Sequence, residues 1–159
     1  MLSIMNLGSC NPDHKVIVAG GAFQGLGIWK NSIQFLNPIE ALFLAERRKL
    51  AIQIDTQTVS LQEGFCLIDG DGLLNHYIVY AHLSRLGYKI RIIGNNHFDV
   101  WKPHHRFSEP KSYTIIVVTD RGFNFDDLIF GTTIAYVEGS DINFVAINTV
   151  NSFNKVTTR

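Results

Sequence analysis

From residue 73 to 93 the chain reads LLNHYIVYAHLSRLGYKIRII, and its apolar residues Ile78, Val79, Leu83 and Leu86, with Tyr77 and Tyr80 among them, recur at spacings of three and four. That period predicts a helix with one wide stripe facing inward. Gly87 follows the last periodic residue and suits the left-handed conformation that closes a helix, while Arg85 places a cation in the final turn. Tyr88, Ile90 and Ile92 then alternate with Lys89 and Arg91, the period of a half-buried strand with one wet face. Helix, tight turn and strand make this the stretch around which the rest is organised.

Upstream, residues 1–14 carry turn formers and few apolar repeats, which predicts a loose lead-in, and residues 15–19 suit a short strand. Gly20, Gly21, Gly25 and Gly27 crowd the next stretch. A phosphate loop would need a lysine-serine pair and a following helix; here Ile28 and Trp29 follow, so the reading is a turn between strands. Asn37, Pro38 and Glu40 stand at the N-cap, first and third positions of a helix, the spacing of a capping box. Ile39, Leu42, Phe43 and Leu50 supply its apolar side, and Arg47, Arg48 and Lys49 read as a solvated end that complements the dipole. Residues 50–54 alternate as a short strand, and Ser60 with Glu63 offers a second capping box for a helix over 61–68. It is expected to stop at Asp69-Gly70-Asp71-Gly72, a turn without the spread ligands of a calcium loop.

Downstream, Gly94-Asn95-Asn96 joins the 88–93 strand to a second one over 98–102, a hairpin signal. Residues 103–110 form a basic, histidine-containing loop. SYTIIVVT (112–119) is a β-branched run expected of a central strand buried on both faces. A short helix is predicted over 124–129, then strands over 132–137 and 142–148 joined by Glu138-Gly139-Ser140-Asp141, with a polar tail from Thr149. The fold class is α/β: a small helical N-terminal unit, residues 1–72, followed by a mixed β-sheet domain, residues 73–159.

Composition adds mainly exclusions. The chain has 159 residues, 46% hydrophobic, enough for a buried core and too apolar for a disordered chain. Fourteen basic against fourteen acidic residues give zero formal charge, so any nucleic-acid contact must be local or shared. Cys10 and Cys66 are too few and too far apart for a disulfide scaffold or a thiolate zinc site. His76 and His82 differ by six, not the helical spacing of a metal pair, so neither metal nor cofactor is called for. No signal segment or membrane-length apolar run stands out, and a soluble intracellular protein is expected.

YIVYAHLSRLGYKIR resembles the segment that opens the nuclease-like domain of tRNA-splicing endonuclease subunits, most closely the large non-catalytic 54 type. FLNPIEALFLAERRKL followed by VSLQEGFCLI is similar to the helical N-terminal part of that subunit in order, spacing and both capping boxes. Arg47-Arg48-Lys49 stands where the family often has a glycine, and the long insertion usual after the hairpin is not present here. The resemblance implies a domain of the tRNA-intron endonuclease type, a nuclear location, assembly with catalytic subunits, and contact with precursor tRNA through the complex.

The catalytic members of that family cut RNA with a tyrosine, a histidine and a lysine. The matching places here hold Trp101, the Glu109-Pro110-Lys111-Ser112 neighbourhood, and Phe130-Gly131-Thr132-Thr133, so none of the three functional groups is present and no catalytic residue is assigned. Indole N–H is a donor only and cannot shuttle a proton. The resemblance instead implies partner binding by an acidic loop, Glu138, Gly139, Ser140 and Asp141, with Ile142 and Phe144 on the following strand as an apolar edge. Lys102, His104, His105 and Arg106 are the densest basic loop and the candidate RNA contact, although no aromatic stacking platform can be assigned beside it. Two other readings remain: an RNA endonuclease using His104 and His105 as acid and base, whose adjacent side chains diverge without a special turn, and an unrelated α/β binding module.

Overall fold

The computed structural model describes residues 2–5, 16–18, 22–54, 57–70, 72–94, 96–118, 131–139 and 141–147. The helix expected over 124–129, Gly20, Gly21, Asp71, Ser140 and the tail from Thr149 lie outside them. In chain order the elements are β1 (Leu2–Met5), β2 (Val16–Val18), β3 (Ile28–Lys30), β4 (Ile33–Leu36), α1 (Pro38–Glu46), β5 (Ala51–Ile54), β6 (Gln57–Thr58), α2 (Leu61–Gly70), α3 (Leu74–Arg85), β7 (Lys89–Ile93), β8 (His97–Trp101), β9 (Tyr113–Val117), β10 (Thr132–Glu138) and β11 (Asp141–Ala146).

The α/β class holds, with more sheet in the first half than a small helical unit implies. Six strands pair in the order β3-β4-β2-β1-β5-β6. The segment expected to be a loose lead-in contains β1, which lies inside this sheet, antiparallel to β2 and parallel to β5. A four-residue strand whose parallel partner β5 is some fifty residues away leaves little local signal, and that is why the pattern does not show it. The second sheet runs β11-β10-β9-β8-β7, antiparallel throughout except for the parallel pair of β9 and β10. As its composition predicts, β9 is central, and Ile115, Ile116 and Val117 are buried.

Both capping boxes form. Asn37 accepts from Ile39 N–H at 3.0 Å while Glu40 Oε2 accepts from Asn37 N–H at 2.9 Å. Ser60 Oγ accepts from Glu63 N–H at 3.2 Å and Glu63 returns the bond to Ser60 N–H at 2.8 Å. The Ser60 N–H and hydroxyl, both donating to Glu63 Oε2, hold its carboxyl below the ordinary range. Glu40 does a second job: its Oε1 accepts from Gly27 N–H at 3.1 Å. Its burial raises its pKa, against the two backbone donors that favour the charged form. Gly27 has φ +60°, and a Cβ there would lie 2.1 Å from the Phe35 carbonyl oxygen. Buried Gln34 binds the same turn through Phe23 N–H and the carbonyls of Phe23 and Leu26. Gly27 therefore serves close backbone approach just before β3, as the turn reading expects.

The three helices end alike. After α3, Gly87 (φ +86°) donates to Ser84 and Tyr88 to Leu83; after α2, Gly72 (φ +71°) donates to Asp69 and Leu73 to Ile68. After α1, Arg48 donates to Ala45 and Lys49 to Leu44, so Arg48 (φ +56°) occupies the left-handed position that glycine fills in the other two. The helix stops at Glu46, leaving Arg47, Arg48 and Lys49 beyond its last turn. A left-handed non-glycine residue costs roughly 1–2 kcal/mol, partly offset by glycine's greater freedom when unfolded. Arg48→Gly should accordingly raise stability by about 0.5–1 kcal/mol, whereas Arg48→Ala, which keeps the Cβ, should not. Thermal melts of the two variants check this, and equal melting points would refute it.

One core joins the two halves, with α3 as its common wall. Tyr80 meets Phe43 of α1 edge-on at 5.5 Å and Phe98 of β8 at 6.3 Å, and Tyr77 meets Phe65 of α2 at 5.0 Å. Glu46 at the end of α1 accepts from the Tyr77 hydroxyl at 2.8 Å and from Arg85 Nη2 at 2.7 and 2.8 Å. Burial and the adjacent Glu46 carboxylate both push the Tyr77 phenol upward. Leu86, expected on the inward stripe, is instead 56% exposed because α3 has ended and the chain is turning away through Gly87.

Candidate functional site

The β10-β11 hairpin presents the acidic loop. Glu138 and Asp141 are register partners at its tip, Gly139 takes φ +62°, and all three are exposed. Ser140 lies outside the described residues. Among the described residues β11 closes one edge of its sheet and pairs only with β10, and an edge strand of this kind can take up another strand. Ile142 is half-buried against the core, and Phe144 is 40% exposed on the face that looks toward α3. The structure thus keeps the predicted tip and strand together.

The basic loop is more constrained than its composition suggests. Trp101 is buried, and its indole donates to the Glu109 carbonyl at 2.8 Å. Phe107 packs edge-on against Trp101 at 4.9 Å, and the Arg91 guanidinium lies 5.4 Å from both ring centroids. Lys89 donates to the His105 carbonyl, anchoring the loop from β7. Glu109 sits inside the basic stretch: one carboxylate oxygen accepts from Arg106 N–H at 3.1 Å, and the other is 3.2 Å from His105 Nδ1. His104 takes φ +72° and is exposed, while His105 is tied to Glu109. Lys102 parts from the group and places its ammonium 5.6 Å from the Tyr113 ring centroid. The four predicted RNA-contact residues therefore share a loop without forming one uniform basic patch.

Sequence reasoning missed a cleft of about 350 Å³ between the end of α3 and strands β8–β11. His82, Leu86 and Tyr88 line it from α3 and the turn that follows, and Tyr113, Thr133 and Phe144 from the sheet. The alternation of β8 and β9 places the register partners Val100 and Tyr113 on one face, but only the end of α3 shows that Tyr113 is left partly uncovered while Val100 stays buried. Elsewhere, His76 is 2% exposed, and neither ring nitrogen has a hydrogen-bond partner among the described residues. The Gly72 carbonyl one turn back raises its pKa slightly without reaching hydrogen-bond geometry, and burial dominates, holding the imidazole down to about 4. Among the described residues no three His, Cys, Asp or Glu side chains group as metal ligands, and no helix is long and apolar enough to cross a membrane.

Among the described residues, this α/β protein presents an acidic hairpin, an edge strand, a folded basic loop and a cleft rich in aromatic side chains. No protein-family model matches the chain. A segment of 75 residues, 46% of this chain, is 35% identical to the mouse (Mus musculus) protein tRNA-splicing endonuclease subunit Sen54, of whose own length it covers 14%. The match relates the chain to a subunit of a tRNA-splicing endonuclease complex.

Proposed function

We propose that this chain is a non-catalytic structural subunit of a tRNA-splicing endonuclease, pairing with a catalytic subunit and helping to position precursor tRNA. The similarity to Sen54 carries this reading, and it agrees with the helix, capping and hairpin motifs that resemble the 54-type subunit. The non-catalytic part rests on side chains. Where the resembled family has its tyrosine stands Trp101, buried and already donating to a carbonyl, with no proton to accept or relay. No imidazole lies in 109–112 and no amine in 130–133. The acidic tip and free edge of β11 supply the assembly surface, because a short hairpin holds two carboxylates with little entropy to lose on docking.

The tagged chain, purified from its own cell extract, should bring down an RNA-cleaving endonuclease subunit, and a preparation without one would refute the reading. Within that assembly, His104→Ala combined with His105→Ala is expected to leave precursor cleavage within about twofold, since removing a true general acid or base costs about 10²–10⁴. Loss of cleavage with the assembly intact would favour the histidine-dependent nuclease instead.

A further inference from the structure

We propose that the cleft between the end of α3 and β8–β11 receives one unpaired RNA base, with Lys102 at its rim holding the adjoining phosphate. This inference rests on the precursor-tRNA role proposed above and names how this chain would touch the RNA. The cleft's volume of about 350 Å³ falls at the small end of ligand sites. Its lining is rich in aromatic rings: Tyr88 from the turn after α3, Tyr113 and Phe144 from the sheet, and the His82 ring 6.2 Å from that of Phe144. Thr133 adds a hydroxyl among the lining residues, none of which is a carboxylate. Three large side chains around the opening stand in water, Leu86 at 56%, Phe144 at 40% and Tyr113 at 37% exposed, a contiguous apolar surface that a soluble protein seldom leaves without a role.

Charge complementarity selects the occupant. The Lys102 ammonium stands 5.6 Å from the Tyr113 ring centroid, while the Asp99 carboxylate is paired with Lys111 at 2.6 Å and Glu109 is engaged by the basic loop. A flat π-face to enter the slot and an anion one bond-length series away describe a nucleotide of a single strand, the combination that stacking platforms with cationic rims bind without sequence preference. A base held in a duplex cannot enter without first being unpaired.

The test uses the full chain and single-stranded oligonucleotides containing 4-thiouridine, with a fully paired duplex of the same length as control. Photo-crosslinks mapped by mass spectrometry should fall on Tyr88, Tyr113 or Phe144. Tyr113→Leu should weaken single-strand binding about tenfold while leaving duplex binding unchanged, and Tyr113→Phe should retain it. Lys102→Gln should lower the slope of log affinity against log salt by about 0.7. Crosslinks confined to other residues, equal losses for single strand and duplex, or no detectable single-strand binding by the unaltered chain would each overturn the proposal. So would Tyr113→Leu releasing the endonuclease partner with RNA binding unchanged, which would assign the cleft to a protein side chain. None of these outcomes touches recovery of the partner by the unaltered chain, so the subunit reading stands or falls separately.

Discussion

Replacing Glu138 and Asp141 together by lysine is expected to weaken association with the proposed endonuclease partner by about 2–5 kcal/mol, the cost seen when one side of a desolvated charge pair is lost. That corresponds to roughly thirtyfold or more in dissociation constant. Both side chains are exposed at the tip of the β10-β11 hairpin, and neither has an ion-pair partner among the described residues. Reversing their charge therefore breaks no ion pair among the described residues, and Gly139 keeps its left-handed turn. Titration calorimetry or co-purification at matched salt measures the change, with circular dichroism confirming an unaltered fold. Unchanged affinity would remove the acidic tip from the interface and leave the β11 edge to carry it.

Acidification should destabilise the isolated chain by roughly 3 kcal/mol between neutral pH and pH 4 on account of His76 alone. In the unfolded chain its imidazole titrates near its ordinary value of 6.5, whereas burial holds it to about 4 in the fold. Between those values the unfolded chain takes up a proton that the native chain refuses, so stability falls as pH drops through that window and levels off below it. Three kcal/mol is a substantial part of an ordinary domain's stability of about 5–15 kcal/mol and corresponds to a melting-point loss of about 6–12 °C in a chain of this size. Glu40, whose pKa is raised, acts with the opposite sign in acid, and its contribution is common to the comparison that isolates His76. His76→Leu, which fills a similar volume beside Phe98 without a polar group, should be no less stable at pH 7.5 and should lose about 3 kcal/mol less than the unaltered chain at pH 4. A variant that loses as much in acid as the parent would show that His76 is not the sensor.

The parts of the fold legible in the sequence are those whose signals are local. Asn37, Ser60 and Gly87 mark helix ends through contacts within a few residues, and the β-branched run of β9 announces a strand buried on both sides. The β10-β11 hairpin and its acidic turn were legible for the same reason. The first sheet was legible only in β2 and β5, because β1 and β6 are four and two residues long, too short to carry a period of their own, and β1 takes its parallel partner from β5 far along the chain. The β3-β4 turn is similarly quiet: Asn31 and Ser32 both take positive φ without the glycine that usually advertises such a turn. At the candidate site, the basic character of 102–106 was plain, but Glu109 folding back onto Arg106 and His105 was not. Neither was the cleft, whose walls come from residues as far apart as His82 and Phe144. His76 shows the same limit in reverse, since a histidine on an otherwise apolar helix face gives no sign that its ring nitrogens will go unmatched.

The position of α3 between the halves also bears on synthesis. A nascent chain that has emerged only as far as α2 has Phe43 and Phe65 but not Tyr80 and Tyr77, the rings that cover them in the finished fold. Glu46 likewise waits for Arg85, 39 residues later. The first half therefore leaves the ribosome with an uncovered aromatic surface and acquires its lid only when α3 follows, so a recombinant fragment cut at residue 72 would expose that surface permanently and invite self-association rather than folding as a free-standing piece.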